Sequence, residues 1–231
     1  MIPLKDMTPR QSVPIATLSL IAINVAVFIH QVTLPPHAAD VFIRTYALTP
    51  FKIQSALAGH RYTLAQGISP LFTCMFLHGG FLHILGNMWF LWIFGGNVES
   101  RLGSLPYLLF YLVCGVGSSV SQLIFSWGSH VPSLGASGAI SGVLGAYVLF
   151  FPKSRILTLI PLFIIWFTAR IPAIVFIGLW FLVQFLSGLG SLTSQASANV
   201  GGVAWWAHVG GFVIGLFLAR GARRRPAVIY G

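Results

Sequence analysis

Apolar residues run along this chain in long blocks, separated by short gaps that hold most of its prolines and basic residues. A helix needs about 20 apolar residues to cross a hydrocarbon core. Six blocks reach or approach that length, near 13–32, 80–97, 105–127, 136–151, 171–189 and 203–219. The pattern predicts an all-α polytopic membrane protein with six transmembrane helices. A further stretch, Ile156 to Thr168, is interrupted by Pro161 and bracketed by Arg155 and Arg170, and reads as an interfacial or re-entrant piece on the inner side. The connection 33–79 mixes Pro35-Pro36, Arg44, Lys52 and Arg61 with apolar clusters such as Phe42-Ile43; a connection of that length is commonly functional, and this one is expected to lie partly in the membrane surface.

Composition agrees with the pattern. The chain is 56% hydrophobic and only 7% charged, where soluble domains carry about a quarter charged residues. A formal charge of +10 suggests nucleic acid until the basic residues are located, and they flank the apolar blocks. With six spans and both termini inside, ten of the thirteen Lys and Arg fall on the cytoplasmic side, including Lys5, Arg10, Arg101 and the group from Arg220 to Arg225, while Arg44, Lys52 and Arg61 fall outside. That obeys the positive-inside rule; a seventh span would put the C-terminal basic group outside. The expected layout is one membrane domain over 1–231, with a cytoplasmic segment at 1–12, an uncleaved first span and a basic cytoplasmic tail at 220–231. The two cysteines, Cys74 and Cys114, make no C-x-x-C pair, and Cys74 reads as a small buried residue.

Candidate chemistry centres on Ser133 to Gly142, where Ser137 stands between small residues at the start of the fourth block. Small residues are common in membrane helices because they permit close packing, so this patch alone favours packing over catalysis. The alternating topology changes the balance. It brings the outward ends of the second, fourth and sixth helices to one level, and these carry His83 and Asn87, Ser137, and His208. Polar groups inside a membrane are costly and functional by default. Serine needs a base in reach, and His208 fits that role. The acids are Asp6, Asp40 and Glu99, none of them placed at this level, so the arrangement reads as a Ser–His dyad without a carboxylate. His83 and Asn87, at i and i+4, share a helix face, and with the Ser137 backbone N–H they form a candidate oxyanion hole. Gly138, Gly142 and Gly145, facing Gly211 and Gly215, would let the fourth and sixth helices touch, with Gly135 as further packing support.

These residues resemble the rhomboid family of intramembrane serine proteases. The resemblance rests on His78-Gly79-Gly80-Phe81-Leu82-His83-Ile84-Leu85-Gly86-Asn87, on Gly135-Ala136-Ser137-Gly138, on Ala207-His208-Val209-Gly210-Gly211, and on the turn Asn97 to Gly103, in family order over roughly 70 to 220. It implies a rhomboid-like six-helix bundle, with Ser137 as nucleophile, His208 as base, and His83 and Asn87 as oxyanion donors. It also implies no metal or other cofactor, and transmembrane protein substrates cut in or beside their membrane helices. Two features depart from the pattern. Ser69-Pro70 stands where many members carry Trp-Arg, and Ser141 stands where an aromatic often packs on the histidine. His208 must then be oriented by other groups, with Trp205, Trp206 or Tyr147 as candidates.

Other readings carry less. A three-histidine metal site of His78, His83 and His208 leaves Asn87 and Ser137 unexplained. A non-catalytic rhomboid-fold protein that binds client helices would need neither dyad member, and a channel or transporter would keep its flux after Ser137→Ala. Partners are therefore the lipid bilayer and transmembrane substrates, with no nucleic acid, and the oligomeric state is not set by the sequence. The resemblance to family members with a spare six-span layout implies a prokaryotic plasma membrane. Water would gather near Ser121, Gln122 and Ser133, helix five and the loop 188–202 would move to admit substrate, and activity would rise with pH as His208 loses its proton.

Overall fold

Proline and glycine set the element boundaries. The computed structural model describes residues 1–10, 12–162, 165–193 and 203–222. Helix α1 (Ile15–Thr33) stops before Pro35, and Pro36 opens α2 (Pro36–Tyr46) from the first helical turn, where a missing N–H costs nothing. Pro50 and Pro70 likewise open α3 (Pro50–Leu57) and α5 (Pro70–Thr73), while Thr63 and Gln66 form a capping box on α4 (Leu64–Ile68). The connection 33–79 is thus a chain of short helices. No residue of α2 is buried.

The six expected spans are present as helices. They are α1; α6 (Phe81–Phe90), which continues through a π-helical turn at Leu91–Gly95 into α7 (Gly96–Leu102); α8 (Ser104–Phe125); α9 (Ser137–Phe150); α10 (Ala173–Thr193); and α11 (Trp205–Ala222). Among the described residues, α1, the run Phe81–Leu102, α8 and α10 are each long and apolar enough to cross a membrane. The exception that matters is α9. Its 14 residues span only about 21 Å, short of a hydrocarbon core of about 30 Å, so an end of this helix lies below the membrane surface. It can be short because protein surrounds it: every residue from Gly138 to Tyr147 is buried.

Close approach of α9 and α11 depends on the expected glycines. A side-chain carbon on Gly211 would run into the Gly138 carbonyl, and one on Gly215 into the Gly142 carbonyl. A carbon on Gly145 would meet the Phe212 carbonyl. Backbone thus packs on backbone along the seam, as small residues permit in membrane helices.

The stretch after α9 is not helical: Arg155–Leu162 (β2) and Ile165–Pro172 (β3) form an antiparallel hairpin, and β1 (Ile2–Asp6) pairs antiparallel with β2 in a sheet of order β1-β2-β3. The all-α character holds for the bundle and not for this end. The sheet joins the segments that the charge pattern puts on one side of the membrane. Trp89 Nε1 donates to the Pro3 carbonyl at 2.6 Å, and the Asn97 amide donates to Asp6 at 2.6 Å.

The Glu99 carboxylate, 1% exposed, anchors the same end. It accepts from the Ala16 and Thr17 backbone N–H groups and the Thr17 hydroxyl, each at 2.8 Å, and from the Ser104 hydroxyl at 2.6 Å. The residue preceding α1 is Pro14, with no side-chain cap, so a carboxylate from another helix satisfies the orphan donors and meets the positive end of the helix.

Candidate active site

Ser137 is the first residue of α9 and is only half-buried. Two long-range pairings hold the strand of chain that leads to it. Leu48 and Ser133 exchange backbone hydrogen bonds at 2.9 and 2.8 Å, and the Gly135 N–H donates to the Cys74 carbonyl at 2.9 Å. Gly135 itself corrects the sequence reading, because it lies before α9, outside the seam with α11, and packs against α6. It precedes α9 with a φ of +129°, and a side-chain carbon there would stand 2.8 Å from His83 Nε2. Glycine is required both by this backbone conformation and by the ring it faces. The first four N–H donors of a helix have no intrahelical partner, so the Ser137 N–H is free of the α9 ladder.

His208 lies in the first turn of α11, 7% exposed, with Nε2 2.7 Å from Ser137 Oγ. Its Nδ1 lies 2.6 Å from Gln184 Oε1, on α10. The amide oxygen can only accept, so Nδ1 carries the ring proton and Nε2 presents a lone pair to the serine hydroxyl. Sequence reading looked to aromatic residues for this orienting role. Trp205 and Trp180 flank the ring, with centroids 6.4 and 6.0 Å away, but the hydrogen bond comes from Gln184. One signal was available: Gln184 is a strongly polar residue in a span otherwise made of apolar and small residues.

His83 and Asn87 sit in the first two turns of α6. His83 is exposed, and its Nδ1 accepts from the Gly79 N–H at 3.3 Å, which leaves Nε2 as the protonated nitrogen, facing Gly135. Asn87 is 7% exposed, and its Nδ2 has no hydrogen-bond partner among the described residues. Position 135, two residues before Ser137, adjoins both of these side chains. The loop that begins α6 is tied to α1 by Gln31, whose amide donates to the His78 carbonyl at 2.7 Å. His78 is wholly buried, and neither ring nitrogen has a partner among the described residues. Its burial, with His83 beside it, lowers its pKa to about 4.

Other polar residues named above are engaged within the fold. Ser121 donates to the Trp206 carbonyl at 2.8 Å, and Gln122 accepts from the Ala207 N–H at 3.2 Å, so both serve the start of α11. The Ser141 hydroxyl donates to the Ser137 carbonyl at 2.6 Å. Cys74 is buried against the Ser119 hydroxyl. Asp40 pairs with Arg44 on the exposed α2. Residues 194–202 of the expected mobile loop and the basic group Arg223 to Arg225 lie outside the described residues.

Comparison with known proteins bears on this geometry. The sequence model of the Rhomboid domain matches residues 65–225. RHOMBOID-like protein 5 of Arabidopsis thaliana is 35% identical over 161 residues, which is 69% of this chain and 46% of that protein. Rhomboid protein 1, mitochondrial, of Saccharomyces cerevisiae is 30% identical over 145 residues, 61% of this chain and 38% of that protein. Rhomboid protease GluP of Bacillus subtilis is 45% identical over 76 residues, 33% of this chain and 14% of that protein. The chain thus spans less than half the length of each of these relatives.

Proposed function

The chain belongs to the rhomboid family, and from that premise we propose that it is an intramembrane serine endopeptidase working through Ser137 and His208. The observation that carries this reading is the 2.7 Å contact between His208 Nε2 and Ser137 Oγ at the recessed start of a buried helix. The relative named as a protease supports the class of activity.

In the proposed reaction Ser137 Oγ attacks the carbonyl carbon of the scissile peptide bond while His208 Nε2 takes the hydroxyl proton. The oxyanion forms against the Asn87 amide, the His83 Nε2–H and the Ser137 N–H. His208 returns its proton to the leaving amine and the acyl-enzyme remains. Water then attacks the ester, with His208 again taking and returning a proton, and the acid product leaves. The orphan Asn87 donor supports this assignment, since a buried donor without a partner costs about 1–3 kcal/mol, recovered when an acceptor arrives.

The substrates are transmembrane segments of other proteins, cut near the outward end of the bundle, and the enzyme works as an integral membrane protein in a lipid bilayer. The positive-inside count supports cytoplasmic termini. The test is cleavage of a purified single-span protein in proteoliposomes. Wild type should release two fragments, and Ser137→Ala and His208→Ala should each lower the rate at least about 1,000-fold. Cleavage that survives Ser137→Ala would overturn the reading.

A further inference from the structure

The base in this site lacks both usual means of orientation. No carboxylate is in place, since Glu99 caps α1, Asp6 bonds Asn97, and Asp40 is on the exposed α2. No ring stacks on the imidazole from α9, where position 141 is a serine bonded to the Ser137 carbonyl. A histidine free to rotate, or to hold its proton on Nε2, cannot accept from serine.

We infer that Gln184 is the positioning residue of this site, its Oε1 fixing both the ring orientation and the productive tautomer of His208 from α10. The inference deepens the dyad reading and rests on it. The geometry is that of an orienting pair: Oε1 to Nδ1 is 2.6 Å, and the two residues are 8% and 7% exposed. A neutral amide also suits the location. A carboxylate buried here would carry a large desolvation cost, whereas Gln184 supplies the one acceptor that Nδ1–H needs and brings no charge. The rest of the environment of His208 is Ser137 from α9, Trp180 from α10 and Trp205 from α11, with His83 the titratable group that acts on it. The acceptor is carried by α10, the least enclosed of the four long spans. The base is therefore poised only while α10 is seated against α11, and whatever moves α10 also switches the dyad.

The test measures the rate of fluorophosphonate inactivation, together with kcat and KM on a cleavable transmembrane substrate, from pH 5 to 9. Wild type is compared with Gln184→Met, which keeps the shape and removes the acceptor, and Gln184→Glu, which keeps the acceptor and adds charge. Gln184→Met should lower the inactivation rate and kcat by about 10- to 100-fold, the worth of one such hydrogen bond, with KM unchanged. Gln184→Glu should recover most of the rate at high pH, with the acid limb of the profile moved to higher pH because the carboxylate favours the protonated ring. Wild-type rates in Gln184→Met would overturn the proposal. Equal losses in both variants with an unmoved acid limb would overturn it too, by making Gln184 a packing residue. Wild-type protein that never labels, or labelling that persists in Ser137→Ala, would sink the dyad reading itself and the proposal with it.

Discussion

One long span, Phe81–Leu102, carries a buried polar residue near each end. Glu99 at the C-terminal end uses its carboxylate fully, with four donors at 2.6 to 2.8 Å. Asn87 toward the N-terminal end is almost as enclosed, yet its amide nitrogen has no partner among the described residues. Both burials are costly in an apolar bundle. Where every bond is internal, the cluster holds helices together. At the other end a donor is left over beside a serine at hydrogen-bond distance from an imidazole, and the proposed mechanism gives it an oxyanion to bind. The neighbouring dyad, more than the missing partner, sets Asn87 apart, since the buried Tyr107 hydroxyl near Glu99 also lacks a partner among the described residues.

Substitution should break the two ends differently. The largest effect on stability is expected at Glu99: Glu99→Ala strands two backbone N–H groups and two hydroxyls in the core, at a cost of about 3–5 kcal/mol. Thermal unfolding in detergent would show it, and an unchanged midpoint would remove Glu99 from the scaffold. Asn87→Ala should leave that midpoint unchanged or slightly raised, since it removes an unsatisfied donor, while lowering kcat about 100- to 1,000-fold. An equal loss of stability at Asn87 would erase the contrast.

A smaller effect sharpens it. His78 lies beside the Asn87 end of the span, and its ring nitrogens also lack partners among the described residues. Its pKa of about 4 in the folded protein lies below the ordinary value of about 6.5, so the unfolded chain binds the proton more readily. Its contribution is complete above pH 6.5 and is lost as pH falls from 6.5 toward 4. By pH 5 this amounts to about 2 kcal/mol. His78→Leu should flatten the fall in unfolding midpoint between pH 7 and 5; a fall as steep as that of wild type would show that His78 does not carry it.

The helices, their seam and the Ser137–His208 pairing were legible in the sequence because each rests on a local signal. Apolar blocks of membrane length mark spans, and alternating topology then fixes which ends meet. The glycines at 138, 142, 211 and 215 mark the seam because only small residues allow that approach. What was missed depends on distant partners. The segment Arg155 to Pro172 carries few polar residues, so its strands resemble an interfacial run, and β1, which completes the sheet, lies some 150 residues earlier. Gln184 is one polar residue in an apolar helix, and its meaning depends on a ring 24 positions away. Gly135 looked like its helical neighbours, and only its φ of +129° and the ring against it show another role.

The most direct test of the central claim is mass spectrometry of the intact, folded protein after fluorophosphonate treatment, with the adduct mapped to a residue. A single adduct on Ser137, absent in His208→Ala and retained in Asn87→Ala, is the predicted result. An adduct on another residue, or one on Ser137 at full rate without His208, would contradict a histidine-activated serine in this bundle.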